Sequence, residues 1–286
     1  MKSREIGTFF ILINMNKVAI QGIKGSFHHQ AATQYFENHL ELQECMTFAE
    51  IPKLLQQNKV TSAVMAIENS IAGSILPNYK LIDEFELTIV GEVFLTIQHQ
   101  LLALPGQSIG DITEVHSHPM ALQQCEAFFE NHPHIVLIES KDTAESALQI
   151  AHLKKPKVGA IASTMAGTLY GLETIAADIH TYKNNTTRFF VVQMGHQLTE
   201  IIPNKASLKL TLSHEVGSLL KVLQLFADNG INLSKIQSLP LRHTPFQYAF
   251  FIDVEFDDYH VYLNCLSTIK LITTAVKILG EYIKSQ

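Results

Sequence analysis

The chain has 286 residues, enough for about two domains, of which 47% are hydrophobic and 17% are charged. This composition excludes an intrinsically disordered chain, and the formal net charge of -6 excludes a basic surface for nucleic acid or anionic lipid. Cys45, Cys125 and Cys265 lie far apart, with no CxxC pair. Such sparse cysteines are typical of buried thiols in a reducing compartment, so we expect a cytoplasmic protein.

The N-terminal segment resembles a secretory leader only superficially. Its apolar run, Phe9 to Ile13, is too short, and no small-residue cleavage site follows it before Lys17. No other run approaches the roughly 20 apolar residues of a membrane span. We therefore expect residues 1–16 to be an appendage of little structural consequence.

The region from Val18 to about Val192 alternates short β-rich runs with helical stretches. The pattern predicts strands at Val18–Gln21, Ala63–Ile67, Leu87–Leu95, Glu114–Ser117, Val158–Ile161 and Phe189–Val192. It predicts helices between them at Gln30–His39, Ile51–Gln57, Ala121–Asn131, Ala144–His152 and Ser163–Tyr170. This alternation indicates an α/β domain with mostly parallel sheet, in which ligands bind where strand ends meet helix N-termini.

The last 80 or so residues follow a different plan. A polar linker, residues 196–206, precedes a second domain, residues 207–286. The predicted elements of that domain are a strand, a helix, two strands, a helix and a strand: Leu208–Leu212, Ser218–Asp228, Ile231–Ile236, Tyr248–Phe256, Val261–Ile272 and Ala275–Leu279. The order βαββαβ is typical of a ferredoxin-like domain.

Two polar clusters follow predicted strands in the first part of the chain. Gly22-Ile23-Lys24-Gly25-Ser26-Phe27 lies between a strand and a helix, where glycines let backbone N–H groups approach an anion. It lacks both the Walker ending and the dinucleotide fingerprint, and a plain turn explains it equally well. Ile67-Glu68-Asn69-Ser70 ends an apolar strand and suits either a binding crevice or a helix cap.

Two further clusters precede helices in the middle of the chain. Val115-His116-Ser117-His118-Pro119 leads to Gln123-Gln124-Cys125. A metal site there would need further ligands that the spacing does not supply. A helix cap by Ser117, with Pro119 near the first turn of the helix, is favoured instead. Asp142-Thr143-Ala144 also fits a cap.

The most informative cluster is Asn184-Asn185-Thr186-Thr187-Arg188-Phe189-Phe190, a polar run that enters an apolar strand. An arginine suits a carboxylate because its guanidinium forms two parallel, charge-assisted hydrogen bonds. The threonine beside it supplies a hydroxyl donor that does not ionise at neutral pH. The alternative is an edge-strand arginine with a solvent partner.

Taken in order, these motifs resemble those of the prephenate dehydratases. The resemblance rests on Gly22-x-x-Gly25-Ser26-Phe27, Ile67-Glu68-Asn69-Ser70, Ser117-His118-Pro119 with Gln124-Cys125, and Asn185-x-Thr187-Arg188-Phe189. The C-terminal region resembles the ACT domain, an amino-acid-sensing module, through Gly217-Ser218-Leu219, Gly230-Ile231-Asn232 and Ile236-Gln237-Ser238-Leu239-Pro240. The resemblance covers nearly the whole chain after Met15.

The resemblance implies a fold and an activity. The fold is a bilobal catalytic domain like the type-2 solute-binding proteins, residues 17–195, with lobes at about 17–94 plus 172–195 and at 95–171. The activity is conversion of prephenate to phenylpyruvate, water and carbon dioxide on the route to phenylalanine, with no cofactor or metal. It also implies homodimers or homotetramers and inhibition by phenylalanine at the ACT domain. The chain has no room for the chorismate mutase domain fused to some relatives, so we expect a monofunctional enzyme.

The resemblance also implies site residues. Those expected to act in catalysis are Thr187, Arg188, Asn69, Ser117 and Gln124. Those expected to contact substrate are Glu68, Ser70, Gly25, Ser26, His118, Thr143, Ser163, Asn185 and Phe189. Those expected to bind phenylalanine are Gly217, Ser218, Leu219, Asn232, Leu233 and Ser238. Thr187 is expected to donate to the departing ring hydroxyl, and Arg188 to hold the side-chain carboxylate.

Some positions depart from the family pattern. Ser26 replaces a more usual threonine, and His28 stands where serine or threonine is common. In the ACT region Val216, Ser218 and Leu239 replace proline, alanine and arginine, and we expect Arg242 to substitute for the lost charge. Two alternatives stay open: an amino-acid-binding sensor without catalysis, and an arogenate dehydratase.

Overall fold

The structure, a computed structural model, describes residues 15–37, 39–195, 201–241 and 248–285. Most of the predicted appendage, the start of the linker, and Arg242 lie outside the described residues. No helix in the described ranges is long and apolar enough to cross a membrane.

The first lobe is built on a six-stranded sheet. Its strands are β1 (Asn16–Gln21), β2 (Leu40–Cys45), β3 (Ser62–Asn69), β4 (Gly73–Ser74), β5 (Leu87–Thr96) and β11 (Thr186–Met194). The order is β2-β1-β3-β11-β5, with β4 beside β3. β1 runs parallel to β2 and β3, whereas β11 runs antiparallel to β3 and β5. The sheet is therefore mixed rather than mostly parallel, because β11 returns to it from the second lobe.

The second lobe has a five-stranded sheet in the order β10-β6-β9-β7-β8. Its strands are β6 (Gln100–Ala103), β7 (Glu114–Ser117), β8 (Val136–Glu139), β9 (Val158–Ala162) and β10 (Glu173–Ala176). The prediction that the chain returns to the first lobe at residue 172 is wrong, because β10 pairs with β6. The return comes with β11, where Thr186 pairs with Thr96.

Helices cover the sheets of both lobes and of the C-terminal domain. They are α1 (Phe27–Phe36), α2 (Ile51–Gln56), α3 (Leu76–Glu84), α4 (Pro119–Gln124), α5 (Glu126–Glu130), α6 (Thr143–Leu153), α7 (Thr164–Tyr170), α8 (Ser218–Asp228) and α9 (Tyr259–Ile272). Short 3-10 turns occupy Phe48–Glu50 and Ile109–Asp111. The helix predicted over Ala121–Asn131 is divided at Cys125, and α3 was not predicted. The strands β2, β4, β6, β8 and β10 were not predicted either.

The C-terminal domain has the predicted βαββαβ order. Its strands are β12 (Lys205–Thr211), β13 (Asn232–Pro240), β14 (Tyr248–Glu255) and β15 (Ala275–Tyr282). They form one antiparallel sheet in the order β13-β14-β12-β15. The first strand begins at Lys205, inside the predicted linker. The fold class, a two-lobed α/β domain followed by a ferredoxin-like domain, is confirmed.

The ACT-like sheet packs directly on the first lobe. Leu239, Phe251 and Leu279 share one buried cluster with Met65 and Phe190 of the first-lobe sheet. The opposite face of the ACT-like sheet carries a separate core with α8 and α9. The contact is close enough to require a glycine: a Cβ at Gly280 would lie 2.0 Å from the backbone oxygen of Ile89. One face of the first-lobe sheet is therefore covered by the C-terminal domain together with α2 and α3.

Candidate active site

A cavity of about 340 Å³ lies between the two lobes. The first lobe lines it from β1, α1, β3 and β11, and the second lobe from α4 and the start of α6. Seven of the expected site residues line it: Ser26, Asn69, His118, Gln124, Thr143, Thr187 and Phe189. The cavity therefore lies where the resemblance expects the substrate.

Asn69 and Thr187 are directly hydrogen-bonded at the wall of this cavity. The Asn69 Oδ1 atom accepts from the backbone N–H groups of Ile71 (3.0 Å) and Ala72 (2.9 Å). Those two donors fix the amide orientation, so the Asn69 Nδ2 group donates to Thr187 Oγ1 at 2.9 Å. No acceptor in the described part of the chain takes the hydroxyl hydrogen of Thr187. That hydrogen is left for a group bound in the cavity.

The orientation of the Asn69 amide also fixes the orientation of the side chains hydrogen-bonded to it in series. Asn69 Nδ2 also donates to Asn185 Oδ1 (2.6 Å), which turns Asn185 Nδ2 toward Gln124 Oε1 (2.9 Å). Since Gln124 Oε1 only accepts, His99 Nε2, 2.9 Å away, carries the proton. Burial lowers the pKa of His99 to about 4, so the imidazole is neutral at pH 7. The network positions Thr187 without placing a charge beside it.

A β-bulge brings Asn69 to this face of the sheet. Thr187 pairs with Asn69 and Arg188 with Glu68, but Phe189 pairs with Ala66, which leaves Ile67 as an extra residue in β3. Side chains in a regular strand alternate between faces, and the extra residue reverses that alternation. Ala66 and Asn69, three residues apart, therefore both line the cavity. Without the bulge Asn69 would face the C-terminal domain.

Two longer helices begin at the cavity. Ser26 caps α1 by accepting from the backbone N–H of His29 at 3.3 Å, and Asp142 caps α6 by accepting from Glu145 N–H at 3.0 Å. The partial positive charge of a helix N-terminus favours a bound anion. His28, in the first turn of α1, accepts from the backbone N–H of Ala66 at 3.3 Å, and burial lowers its pKa to about 3. It lines the cavity as a neutral ring.

Charged side chains are sparse in the described cavity wall. Lys141 is its one lysine and Asp142 its one carboxylate, and the wall contains no arginine. Lys141 is exposed, so its ammonium is hydrated when the cavity is empty. Burial raises the pKa of the Asp142 carboxyl, although backbone N–H groups of Glu145 and Ala144 oppose the rise. A dianionic ligand therefore meets one cation, one carboxyl group and two helix N-termini.

Arg188 does not line the cavity. It is 5% exposed, and its side chain leaves the sheet on the face that the C-terminal domain covers. Its Nε atom donates to Glu92 (2.8 Å), and its terminal nitrogens donate to Asp253 (2.5 Å) and Tyr282 (3.2 Å). Burial opposes the charged form, but Asp253, Tyr282 and Glu92 outweigh it and raise the pKa of Arg188. This geometry contradicts the expectation that Arg188 holds a substrate carboxylate.

Several other expected contacts lie outside the cavity wall. Ser117 is fully buried and donates to the carbonyl of Ile161 (2.7 Å), while Ser163 donates to the carbonyl of Gly25 (2.6 Å). That second bond joins the two lobes, and Gly25 allows it: its φ is +88° and a Cβ there would lie 3.0 Å from Ala166 Cα. Ser70 accepts from Thr186 N–H and so holds the turn after β3. These residues support the site rather than form its surface.

His99 and Lys141 are two site residues that the sequence analysis missed. His99 stands in Gln98-His99-Gln100, a polar interruption just after the strand that ends at Thr96. Lys141 immediately precedes the Asp142-Thr143 motif. Each is next to a predicted strand or a noted motif, but neither belongs to the motifs on which the resemblance to the family rests.

The residues expected to bind phenylalanine divide into two groups by their position in the C-terminal domain. Ser218 and Leu219 line a second cavity, of about 300 Å³, together with residues 212–216 and the aromatic rings of Tyr248 and Phe250. Gly217 lies in the same turn with a φ of +83°. Asn232, Leu233 and Ser238 lie instead on β13, at the edge of the sheet, and do not line that cavity.

The described residues contain no group of three or more His, Cys, Asp or Glu side chains that would hold a metal ion. His116 contacts Glu114 at 3.1 Å, and His118 caps α4 by accepting from Met120 N–H at 3.2 Å. The favoured reading of this motif as a helix cap matches the geometry, with His118 rather than Ser117 as the capping side chain.

A two-lobed α/β domain with a ligand cavity between its lobes, followed by an ACT-like domain, defines the class of protein. Residues 18–197 match the family model described as prephenate dehydratase. The chain belongs to the prephenate dehydratase family, whose members are hydro-lyases.

Full-length relatives extend this similarity beyond the catalytic domain. The bifunctional chorismate mutase/prephenate dehydratase of Escherichia coli (strain K12) is 31% identical over 93% of this chain and 70% of its own length. Arogenate dehydratase/prephenate dehydratase 2 of Arabidopsis thaliana is 37% identical, over 93% of this chain and 72% of its own. The crystal structure of prephenate dehydratase from Arthrobacter aurescens in complex with L-Phe superposes with a TM-score of 0.83 at 26% identity, covering 93% of this chain and 89% of that one.

Proposed function

We propose that this chain converts prephenate to phenylpyruvate, water and carbon dioxide, and that Thr187 assists departure of the ring hydroxyl. The observation that carries the proposal is the Asn69–Thr187 hydrogen bond, whose direction leaves the Thr187 hydroxyl hydrogen free to enter the cavity. The family to which the chain belongs supplies the reaction, and this geometry supplies the donor.

The reaction breaks two bonds at opposite ends of the substrate ring. The C–C bond to the ring carboxylate breaks, carbon dioxide leaves, and its electron pair enters the ring as the C–O bond to the hydroxyl breaks. The departing hydroxide takes one proton from the solvent, so that water is the product. Hydroxide is a poor leaving group, and a hydrogen bond to its oxygen stabilises the charge that develops there. Thr187 donates that hydrogen bond, and Asn69 holds its oxygen in place.

The cavity supplies few charges for the two substrate carboxylates. Lys141 and the start of α6 lie beside each other and suit the side-chain carboxylate, with His118 and Thr143 nearby in the same wall. The ring carboxylate is better left among neutral groups, because a strong cation would stabilise it against loss of carbon dioxide. With Arg188 outside the cavity, Lys141 takes the role first expected for that arginine.

Apolar side chains form the rest of the wall, including Phe27, Ile75, Ile97 and Phe189. They suit the faces of a ring that becomes aromatic during the reaction. Holding the substrate in one geometry away from water lowers the entropy cost of reaching the transition state.

The experiment is a measurement of phenylpyruvate formation from prephenate by the full chain, with Thr187→Ala as the matched control. Turnover that the variant loses supports the proposal. Binding of prephenate without turnover by the unaltered chain would contradict it and favour the alternative, an amino-acid-binding sensor without catalysis.

A second candidate substrate is arogenate, which carries an ammonium where prephenate carries a keto group. Asp142 favours it, since the carboxylate in the cavity wall pairs with an ammonium but not with a ketone. The Arabidopsis relative is named for both activities. The ratio of kcat/KM for the two substrates, measured with the unaltered chain and with Asp142→Asn, decides between them.

We further propose that phenylalanine regulates the enzyme through the ACT-like domain, and that the active form is a homodimer or homotetramer. The cavity beside Ser218 and the Arthrobacter structure with L-Phe support the effector. The three buried cysteines, all free, are typical of a reducing compartment and support a cytoplasmic location. Turnover with and without phenylalanine, and the mass of the assembly in solution, test these points.

A further inference from the structure

The ends of β3 and β11 carry the candidate catalytic pair on one face and two ion-paired residues on the other. Thr187 and Asn69 pair across the two strands and face the cavity, while Arg188 and Glu68 are the next pair along. Because neighbouring residues in a strand point to opposite faces, Arg188 and Glu68 face the C-terminal domain. Each of them is bound there.

Arg188 is held by a buried cluster that the C-terminal domain completes. Its guanidinium lies between Glu92 of β5 and Asp253 of β14, at 2.7 Å and 2.5 Å. Asp253 in turn accepts from the Ser207 hydroxyl at 2.6 Å, and Lys205 contacts Glu92 at 2.9 Å. All five side chains are buried, so the two cations neutralise the two carboxylates in a medium that screens them weakly.

Glu68 is held by a separate contact. Lys205 and Asp253 do not reach it; instead Lys235 of β13 lies 2.6 Å from Glu68 and donates to the Ser74 hydroxyl at 2.8 Å. The Lys235 side chain is 8% exposed. Lys235 belongs to the C-terminal domain, and it contacts both the end of β3 and the short strand β4 of the first lobe.

We propose that Lys235 and Asp253 of the C-terminal domain are positioning residues for the reaction: by holding Glu68 and Arg188, they set the bulged ends of β3 and β11 and hence the Asn69–Thr187 geometry. The proposal rests on the proposed function of Thr187. A bulge that places Asn69 depends on local register, and the two ion pairs anchor the cross-strand pair Glu68–Arg188, which lies between the bulge and the Asn69–Thr187 pair. The docked domain is then part of the catalytic machinery even without an effector bound.

A third ion pair between the domains serves as a control. Lys277 of β15 lies 2.9 Å from Asp83, near the end of α3, and Lys209 also contacts Asp83. These contacts join the same two domains but touch neither β3 nor β11. Their loss weakens docking without reaching Asn69 or Thr187 directly.

The test compares Lys235→Met, Lys235→Arg and Asp253→Asn with Lys277→Met in the full chain, without phenylalanine. We expect kcat to fall about tenfold in Lys235→Met and Asp253→Asn, with KM within about twofold, since small displacements of reacting groups cost this much or more. Lys235→Arg should recover most of the loss, and Lys277→Met should keep kcat. Equal kcat in Lys235→Met and Lys277→Met at matched thermal stability would overturn the proposal.

Two further measurements separate this proposal from the proposed function. Lys235→Met should lower kcat little in a Thr187→Ala background, because the effect acts through Thr187; a full tenfold fall there would contradict the proposal. Amide hydrogen exchange is independent of turnover. Lys235→Met should speed exchange at Ser70, whose N–H bonds to the Thr186 carbonyl at 2.8 Å, and Lys277→Met should not. Unchanged exchange in both variants would also overturn it, whether or not prephenate is the substrate.

Discussion

The side chains of Thr187 and Arg188 leave β11 on opposite faces of the first-lobe sheet. Thr187 lines the cavity and accepts from Asn69, whereas Arg188 is bound by Glu92 and Asp253 beneath the C-terminal domain. Two consecutive residues of one motif therefore act in different parts of the molecule, one in the cavity and one in the contact between domains. The first prepares a hydroxyl donor, and the second joins the strand that carries it to the neighbouring domain.

Replacing Thr187 tests the hydroxyl donor. We expect Thr187→Ala to lower kcat about 10²–10³-fold, the usual cost of one preorganised donor. Thr187→Ser retains the hydroxyl and should keep most of the activity. Steady-state kinetics with prephenate measure both variants, and a loss below tenfold in Thr187→Ala would exclude this role.

Asn69→Asp separates the two functions of the Asn69 amide. The aspartate still accepts from the Ile71 and Ala72 N–H groups, but it no longer donates to Thr187. The Thr187 hydroxyl would then donate to the new carboxylate instead of to the substrate. We expect kcat to fall at least about 10²-fold, as for loss of the donor itself. Retained turnover with a normal KM would show that the amide orientation is unimportant.

Lys141→Met tests the cation of the cavity wall. If Lys141 holds a substrate carboxylate, the variant should raise KM about tenfold, which corresponds to roughly 1.4 kcal/mol of lost binding, with a smaller change in kcat. Lys59→Met, which removes an exposed lysine outside the cavity wall, is the matched control and should leave KM unchanged. Equal KM values in the two variants would assign the carboxylates to the helix N-termini alone.

The buried His99 predicts a loss of stability in acid. Its pKa is about 4 in the folded chain against 6.5 when unfolded, so the unfolded state binds the proton first as the pH falls. From pH 6.5 down to about 4, this group lowers the free energy of unfolding by about 1.4 kcal/mol per pH unit; above pH 6.5 it has no effect. Denaturant unfolding at pH 7 and pH 5 measures the slope. His99→Gln should make the slope shallower without abolishing it, because His28, whose pKa burial lowers to about 3, contributes over the same pH range, while His152→Gln at an exposed position should not change it.

Gly280→Ala tests the contact between the domains. Its Cβ would overlap the Ile89 carbonyl oxygen, and backbone cannot move aside as a flexible side chain does. We expect the free energy of unfolding to fall by about 2 to 3 kcal/mol, the upper range for overpacking. Gly110→Ala, where the nearest atom would be 3.8 Å away, is the control and should stay within about 0.5 kcal/mol. Similar stabilities for both variants would show that the domains are not tightly docked.

Local patterns in the sequence determined much of this protein. The bounds of Glu114–Ser117 and Ser218–Asp228 were predicted as the structure has them. The helix has clear apolar periodicity and ends at Asn229-Gly230, and the strand is followed by Pro119, which starts the next helix. The order βαββαβ followed from the same signals. The motifs also led to Asn69, Gln124 and Thr187, which the fold brings together at one cavity.

Only the tertiary structure decided which way the key side chains face. The alternation of β3 predicts Asn69 on the face opposite Ala66, and the bulge at Ile67 reverses it. Arg188 suited a substrate carboxylate chemically, but its face is covered by Glu92, Asp253 and Tyr282, which are distant in sequence. Register and domain docking depend on pairing between remote segments, and no local pattern encodes them. The sequence predicted which chemistry each side chain can perform. The packing of one domain on another determined which partner each side chain binds.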